Sequence, residues 1–259
     1  TGNMGFYNVA LDYRHQFEKD THEISANLNY FGRQRNSNSS YLTKESGDIN
    51  PLRTYELQTL NESNNSASVQ VDYFNKFTKN SKFEAGLKGS LNFTESIDKT
   101  FDSIYIDNTL IEDITKSNPF YYSEQIYAAY ATYGNKFDWF SFQLGVRAEE
   151  TITKANDVQR SYFQAFPSVY LSFELPKDNE IQVNYTRRIN RPRGRRINNY
   201  IDRSDPTNIS FGNPLLMPEF ANSVEINYLK NWERHTLSVG LFYRYTENFP
   251  TLVWVWNVL

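Results

Sequence analysis

Between Ile181 and Thr246 the chain alternates, breaks, and alternates again. Ile181, Val183 and Tyr185 stand against Gln182, Asn184 and Thr186, before a basic, turn-rich passage, RRINRPRGRRINNYIDRSDPTNISFGNPLLMPE. The pattern resumes with Val224, Ile226 and Tyr228 against Glu225 and Asn227. Residues 231–235 then turn the chain, and Leu237, Val239, Leu241, Tyr243 and Tyr245 begin once more. A period of two with one apolar and one polar face describes a β-strand between two different environments. One long loop and one short turn between such strands is the rhythm of an up-and-down barrel.

The same rhythm runs from the start. Tyr7, Val9, Leu11 and Tyr13 alternate with Asn8, Ala10, Asp12 and Arg14, and a turn at 18–21 leads to Ile24, Ala26, Leu28 and Tyr30. Residues 33–66, rich in Asn and Ser and without sustained period, are expected to be a long loop. Val69 and Val71 lie on the next strand. After a turn near 78–81, Phe83, Ala85, Leu87, Gly89, Leu91 and Phe93 oppose Glu84, Lys88, Ser90, Asn92 and Thr94. A second long loop is expected at 95–121 and a shorter one at 153–160. In the strand at 122–134, either Ile126, Ala128 and Tyr130 or Tyr127, Ala129 and Tyr133 can take the apolar side. Leu144, Val146 and Ala148 run against Gln143, Arg147 and Glu149, and Val169, Leu171 and Phe173 precede a turn at Pro176-Lys177-Asp178-Asn179. The expected fold is therefore all-β: about ten antiparallel transmembrane strands of an up-and-down β-barrel in one partial domain, residues 1–259. A soluble antiparallel sheet shows the same face alternation. It does not normally keep every second connection short over so many strands.

Composition fits this reading. Net charge is −3, the isoelectric point about 5.7 and the mean hydropathy −0.67, so no electrostatic pull on nucleic acid is expected. No apolar run approaches the length of a membrane helix, which leaves strands as the way across. Aromatic residues make up 16%, suited to interfacial girdles, and zero cysteines exclude disulfides and thiolate sites. The opening TGNMGFYNVALDYR lacks the basic start and apolar core of a signal peptide. Nor does the chain show a plug.

Arg187-Arg188-Ile189-Asn190-Arg191-Pro192, then Ser204-Asp205-Pro206, Phe211-Gly212-Asn213-Pro214, Leu216 and Pro218-Glu219, resemble a family of outer-membrane β-barrels among the TonB-dependent receptors of Bacteroidota. YSEQIYAAYATY at 122–133, FQLGVRAEET at 142–151 and AFPSVYLSF at 165–173 resemble it in the same order. Where the family tends to carry aromatic and Asn-Pro residues after the Arg-Pro, this chain has Arg193-Gly194-Arg195-Arg196. The resemblance implies a receptor that binds a scarce solute outside the cell and admits it when a plug domain is moved by the TonB energy-transducing system. It also implies outer-membrane lipid and lipopolysaccharide as surroundings. A surface lipoprotein or other outer-membrane subunits are further partners, and nucleic acid is not one. The alternative is a non-transporting barrel serving as scaffold or accessory subunit, and a third is a soluble β-rich binding module.

The termini add a parity argument. With short turns in the periplasm, the first strand descends from the outside and the last ascends to it. An open sheet would leave two unpaired edges in lipid. This chain is therefore expected to be an interior slice of a larger barrel of about 22 strands.

No enzyme chemistry stands out. His15, His22 and His235 fall near short turns without a second ligand at useful spacing, so no metal or cofactor is expected. Glu149 and Glu150 are adjacent on a strand and point to opposite faces, which excludes them as a catalytic pair. The one charge anomaly is Arg187, Arg188, Arg191, Arg193, Arg195 and Arg196. These candidates can hold an anion in the lumen, reach lipopolysaccharide phosphates or meet a partner. They can equally pair with lumen carboxylates such as Glu149, Glu225 or Asp202, as buried charge requires. FGNPLLMPE reads as a structural fold-back, its path fixed by Gly212 and neighbouring prolines.

Overall fold

The computed structural model describes residues 1–44, 53–103, 109–192, 194–198 and 210–251. In chain order these form β1 (Gly2–Glu18), β2 (His22–Lys44), β3 (Arg53–Asn75), β4 (Ser81–Ser103), β5 (Leu110–Glu112), β6 (Asn118–Lys136), β7 (Phe140–Ala155), β8 (Val158–Leu175), β9 (Asn179–Asn190), the one-turn helix α1 (Gly194–Ile197), β10 (Glu219–Asn231) and β11 (Thr236–Glu247). The strands all belong to one antiparallel sheet in the order β1-β2-β3-β4-β6-β7-β8-β9-β10-β11, with the three-residue β5 paired to β4. Among the described residues β1 and β11 are not hydrogen-bonded to each other, so the sheet is open at both ends.

Short turns join the strands in pairs at 19–21, 76–80, 137–139, 176–178 and 232–235. Lys177 and Asp178 both adopt left-handed backbone, with φ of 62° and 56°. Two such residues in succession turn a hairpin in the sense that matches strand twist, and Asn179 Nδ2 donates to Pro176 O to fix it.

At the other ends the strands run further than the sequence suggests. The stretch 33–66, expected as loop, is strand from 33 to 44 and from 53 onward, with Arg33 paired to Asn64 and Asn36 to Asn61. Likewise β4 continues to Ser103, and β7 and β8 close over a turn at Asn156 and Asp157, Asn156 having φ of 47°. Alternation is imposed only where one face must be apolar. In these extensions both faces are wet, so Asn and Ser satisfy the backbone ladder without any period.

Register fixes the faces, since directly paired residues share one. Val71, Leu87, Ala129 and Ala148 form one cross-strand row, and Gln70, Lys88, Ala128 and Glu149 the next. The open question at 122–134 is thereby resolved: Tyr127, Ala129 and Tyr133 take the apolar side. Val183, Ile226 and Leu241 continue that face, and Asn184, Glu225 and Phe242 the polar one. The apolar face is bare, with Leu87 64% and Leu241 71% exposed. Rings gather along the short-turn edge: Tyr73, Phe77 and Phe83, and next to them Phe137, Trp139, Phe140, Phe142 and Phe173. The buried cluster, Phe120, Ala155 and Ile197, lies on the polar side beneath α1.

Candidate functional site

The polar face carries a transverse chain of side chains. Tyr130 on β6 donates its hydroxyl to Asp72 on β3, passing over β4 at Gly86. A Cβ there would stand 2.5 Å from Tyr130 Cζ and 2.7 Å from Asp72 Oδ1, so only glycine lets the ring cross. The Arg147 guanidinium on β7 sits 5.3 Å from the centre of the Tyr130 ring. Its Nε donates to Glu149 at 2.5 Å. From the end of β9, Arg191 reaches back over β8 and donates to the other Glu149 oxygen and to Thr151 Oγ1 at 3.0 Å. Glu149 is 8% exposed and Arg191 19%, while Thr151 is fully buried. Two guanidiniums thus share the Glu149 carboxylate, and with Asp72 the charges of the chain balance.

Arg191 also opens the segment that folds back onto this face. After Pro192, α1 sets Ile197 against Phe120 and Ala155, with Tyr122 and Leu216 at the margin. Gly212 N donates to Asn198 O at 2.8 Å and Asn213 N to Arg196 O at 2.7 Å. A Cβ on Gly212 would meet Asn198 O and come within 2.6 Å of Arg196 O, which is why glycine stands there. Arg160 Nη1 on β8 donates to Leu216 O at 3.0 Å, tying down the chain that leads into β10. The crevice between segment and sheet, lined by Tyr122, Glu124, Tyr162, Arg191, Ile197 and Leu216, holds about 40 Å³. That is room for about one water, so the described residues of the segment are packed against the sheet.

The six candidate arginines are not one patch. Arg191 is the tether just described, pairing with Glu149 as the carboxylate reading anticipates. Arg187 and Arg188 are adjacent on β9 and point to opposite faces. Arg187 shares the apolar face with Tyr185 and lies 5.1 Å from the Phe220 ring centre, while Arg188 is exposed on the polar face beside Ala221. Arg196 on α1 is an exposed 3.8 Å partner of Glu219. Arg193 and Asp202 lie outside the described residues, as does the Arg195 side chain. The sequence reading missed Tyr130, Asp72 and Thr151, whose partners are far away in the chain. Gly86 inside a strand was the available hint of a crossing side chain. Glu150 points away from Glu149 and accepts from Ser161 on the apolar side.

A second polar knot sits in the strand extensions. Lys116 Nζ bridges Asp102 at 2.8 Å, Glu56 at 3.1 Å and Asp113 at 3.6 Å. Burial works against the ammonium, but Asp102 and Glu56 outweigh it and raise the Lys116 pKa. Hydrogen bonds from Thr115 hold the Asp113 carboxyl below its usual range. Among the described residues no group of three or more His, Cys, Asp and Glu is placed to hold a metal ion.

Residues 15–255 match the model of a family described as outer membrane protein beta-barrel family. No curated protein matches the chain. Among solved structures it is similar to the copper transporter OprC, with a TM-score of 0.66 at 9% identity, over 96% of this chain and 40% of that one. The siderophore receptor PiuA of Acinetobacter baumannii gives 0.64 at 14%, over 93% and 40%. FpvA of Pseudomonas aeruginosa bound to a pyoverdine gives 0.58 at 15%, over 92% and 32%. The chain thus spans well under half the length of the structures it matches.

Proposed function

Because this chain belongs to the outer membrane protein beta-barrel family, we propose that it is part of the wall of a TonB-dependent receptor that takes up a scarce solute across the outer membrane. Its sheet lies in that membrane with the bare apolar face toward lipid and the polar face toward the lumen. In this reading the two open edges, β1 and β11, pair with further strands of the same barrel, about 22 in all, because unpaired backbone in hydrocarbon is prohibitive. The residues resembling the Bacteroidota receptors support assigning it to that branch.

One observation carries the reading: the described residues of the β9–β10 connection, 191–192, 194–198 and 210–218, are held on the polar face by a buried ion pair and by backbone hydrogen bonds. A scaffold gains nothing from a loop folded into its own bore, whereas a receptor needs a shaped lumen wall above its plug. Among the described residues the polar face offers hydrogen-bonding and charged groups, the kind of surface along which a polar solute passes. The similar structures include a pyoverdine-bound receptor, a copper transporter and a siderophore receptor, so a metal ion or metal chelate is the first solute class to test.

Uptake of radiolabelled copper and of iron chelates is measured in cells with and without the gene, before and after dissipating the proton gradient. Gradient-dependent uptake that disappears with the gene is the expected result. Normal uptake of every solute together with defective envelope assembly would instead establish the scaffold.

A further inference from the structure

We propose that Arg187 and Asn222 form a binding site for a phosphate group of an outer-leaflet lipid. The argument begins with height. Arg187 stands eight residues above Asn179, where β9 leaves its short turn (187 − 179 = 8). At about 3.3 Å per residue and a tilt of about 40°, that is roughly 20 Å along the membrane normal. The apolar band of such barrels is about 25 Å tall, so a long side chain pointing upward brings its charge to the upper rim. Tyr127, Tyr243 and Tyr245 mark the same level on the apolar face, as an interfacial girdle does.

The site is built rather than accidental. Arg187 is held by Phe220, which is itself buried, with the guanidinium carbon 5.1 Å from the ring centre. Asn222 is its direct cross-strand partner. The Tyr185 hydroxyl donates to Asn222 Oδ1 at 3.0 Å, which leaves the Nδ2 group as the donor this side chain can offer a ligand. Among the described residues Arg187 has no carboxylate partner, and its Nε is buried without an acceptor. Glu247, opposite Phe220 on β11, is its acidic neighbour by register and makes no ion pair with it.

An uncompensated guanidinium at this face and depth is costly unless an anion meets it, and the surroundings supply one. Arginine's planar fork beside an amide donor matches the several oxygens of a phosphate monoester or diester. The site lies outside the lumen and is independent of transport.

The test is native mass spectrometry of the protein extracted from its membrane and offered lipid A, dephosphorylated lipid A, phosphatidylglycerol or inorganic phosphate. Wild type is expected to retain one more lipid A than Arg187→Ala, whose occupancy falls at least fivefold. Arg188→Ala, on the lumen side, retains as much as wild type. Arg187-dependent retention of phosphatidylglycerol would assign the site to glycerophospholipid phosphate as well. Equal retention by Arg187→Ala, equal loss in Arg188→Ala, or equal binding of dephosphorylated lipid A overturns the proposal. So does displacement of the lipid by millimolar inorganic phosphate alone. Heat-modifiable gel mobility verifies assembly. Should alanine at 187 fail to assemble, Asn222→Ala decides, losing lipid A if the site exists and keeping it if not.

Discussion

Replacing Arg191 with alanine removes the donor that spans from the end of β9 to Glu149 and Thr151 on β7. Breaking a fully buried ion pair by deleting one partner costs about 3–5 kcal/mol, because the other charge is left uncompensated. Here Arg147 still donates to Glu149 at 2.5 Å, so the low end, about 3 kcal/mol, applies. Glu149→Gln should cost less, since the amide oxygen still accepts from one guanidinium. The double variant Arg191→Ala, Glu149→Gln should be more stable than the sum of the two changes implies, with a coupling of about 1–3 kcal/mol. Urea unfolding in detergent micelles, followed by tryptophan fluorescence and by heat-modifiable mobility, measures all three. Arg188→Ala is the internal control. It is exposed and should shift stability by no more than about 0.5 kcal/mol. The reasoning fails if Arg191→Ala matches wild type, or if the coupling is zero. An Arg191→Ala protein that assembles with full stability yet loses solute uptake would make this residue part of a binding patch instead of a tether.

Three further outcomes follow from the faces and the close approaches. A water-soluble thiol reagent entering the lumen should modify Arg244→Cys and Lys88→Cys faster than Leu241→Cys and Leu87→Cys; the reverse order would invalidate the register. Leu144→Arg should cost about 2–4 kcal/mol on the lipid face, a loss absent if that face were wet. Gly86→Ala should weaken the Tyr130–Asp72 bond, because its methyl would stand 2.5 Å from the Tyr130 ring; unchanged stability in urea unfolding contradicts the crossing. At the outer rim, Asp113 has a lowered folded pKa. Its stabilising contribution is therefore present above the ordinary carboxylate range and is lost as pH falls through the folded value. Hydrogen exchange at the Thr115 amide, which donates to Asp113 Oδ1 at 2.8 Å, should accelerate relative to its intrinsic rate below that range, and equal protection at neutral and acidic pH would refute it.

The sequence by itself determined which stretches cross the bilayer and on which side most residues stand. Phe83 to Thr94 could be read directly, because lipid on one face and water on the other impose a period of two on whatever lies between them. It determined the short turns, where Pro176-Lys177-Asp178-Asn179 specifies its own backbone. Alternation also separates Arg187 from Arg188, as it separates Glu149 from Glu150, although a run of arginines invites reading as one patch. It said nothing of the ladders through 33–44 and 53–66, since strands wet on both faces carry no period. Nor could it assign 122–134, where Ala and Tyr suit either face, until pairing to Leu87 and Lys88 decided the matter. Glu149 stood among the carboxylates the arginines could meet, but which arginine meets it is a tertiary matter. Asp72, Tyr130, Glu149 and Arg191 become neighbours only because register stacks their strands side by side and a glycine lets one ring pass. Local sequence sets the direction a side chain points; only the assembled sheet decides which distant charge it meets.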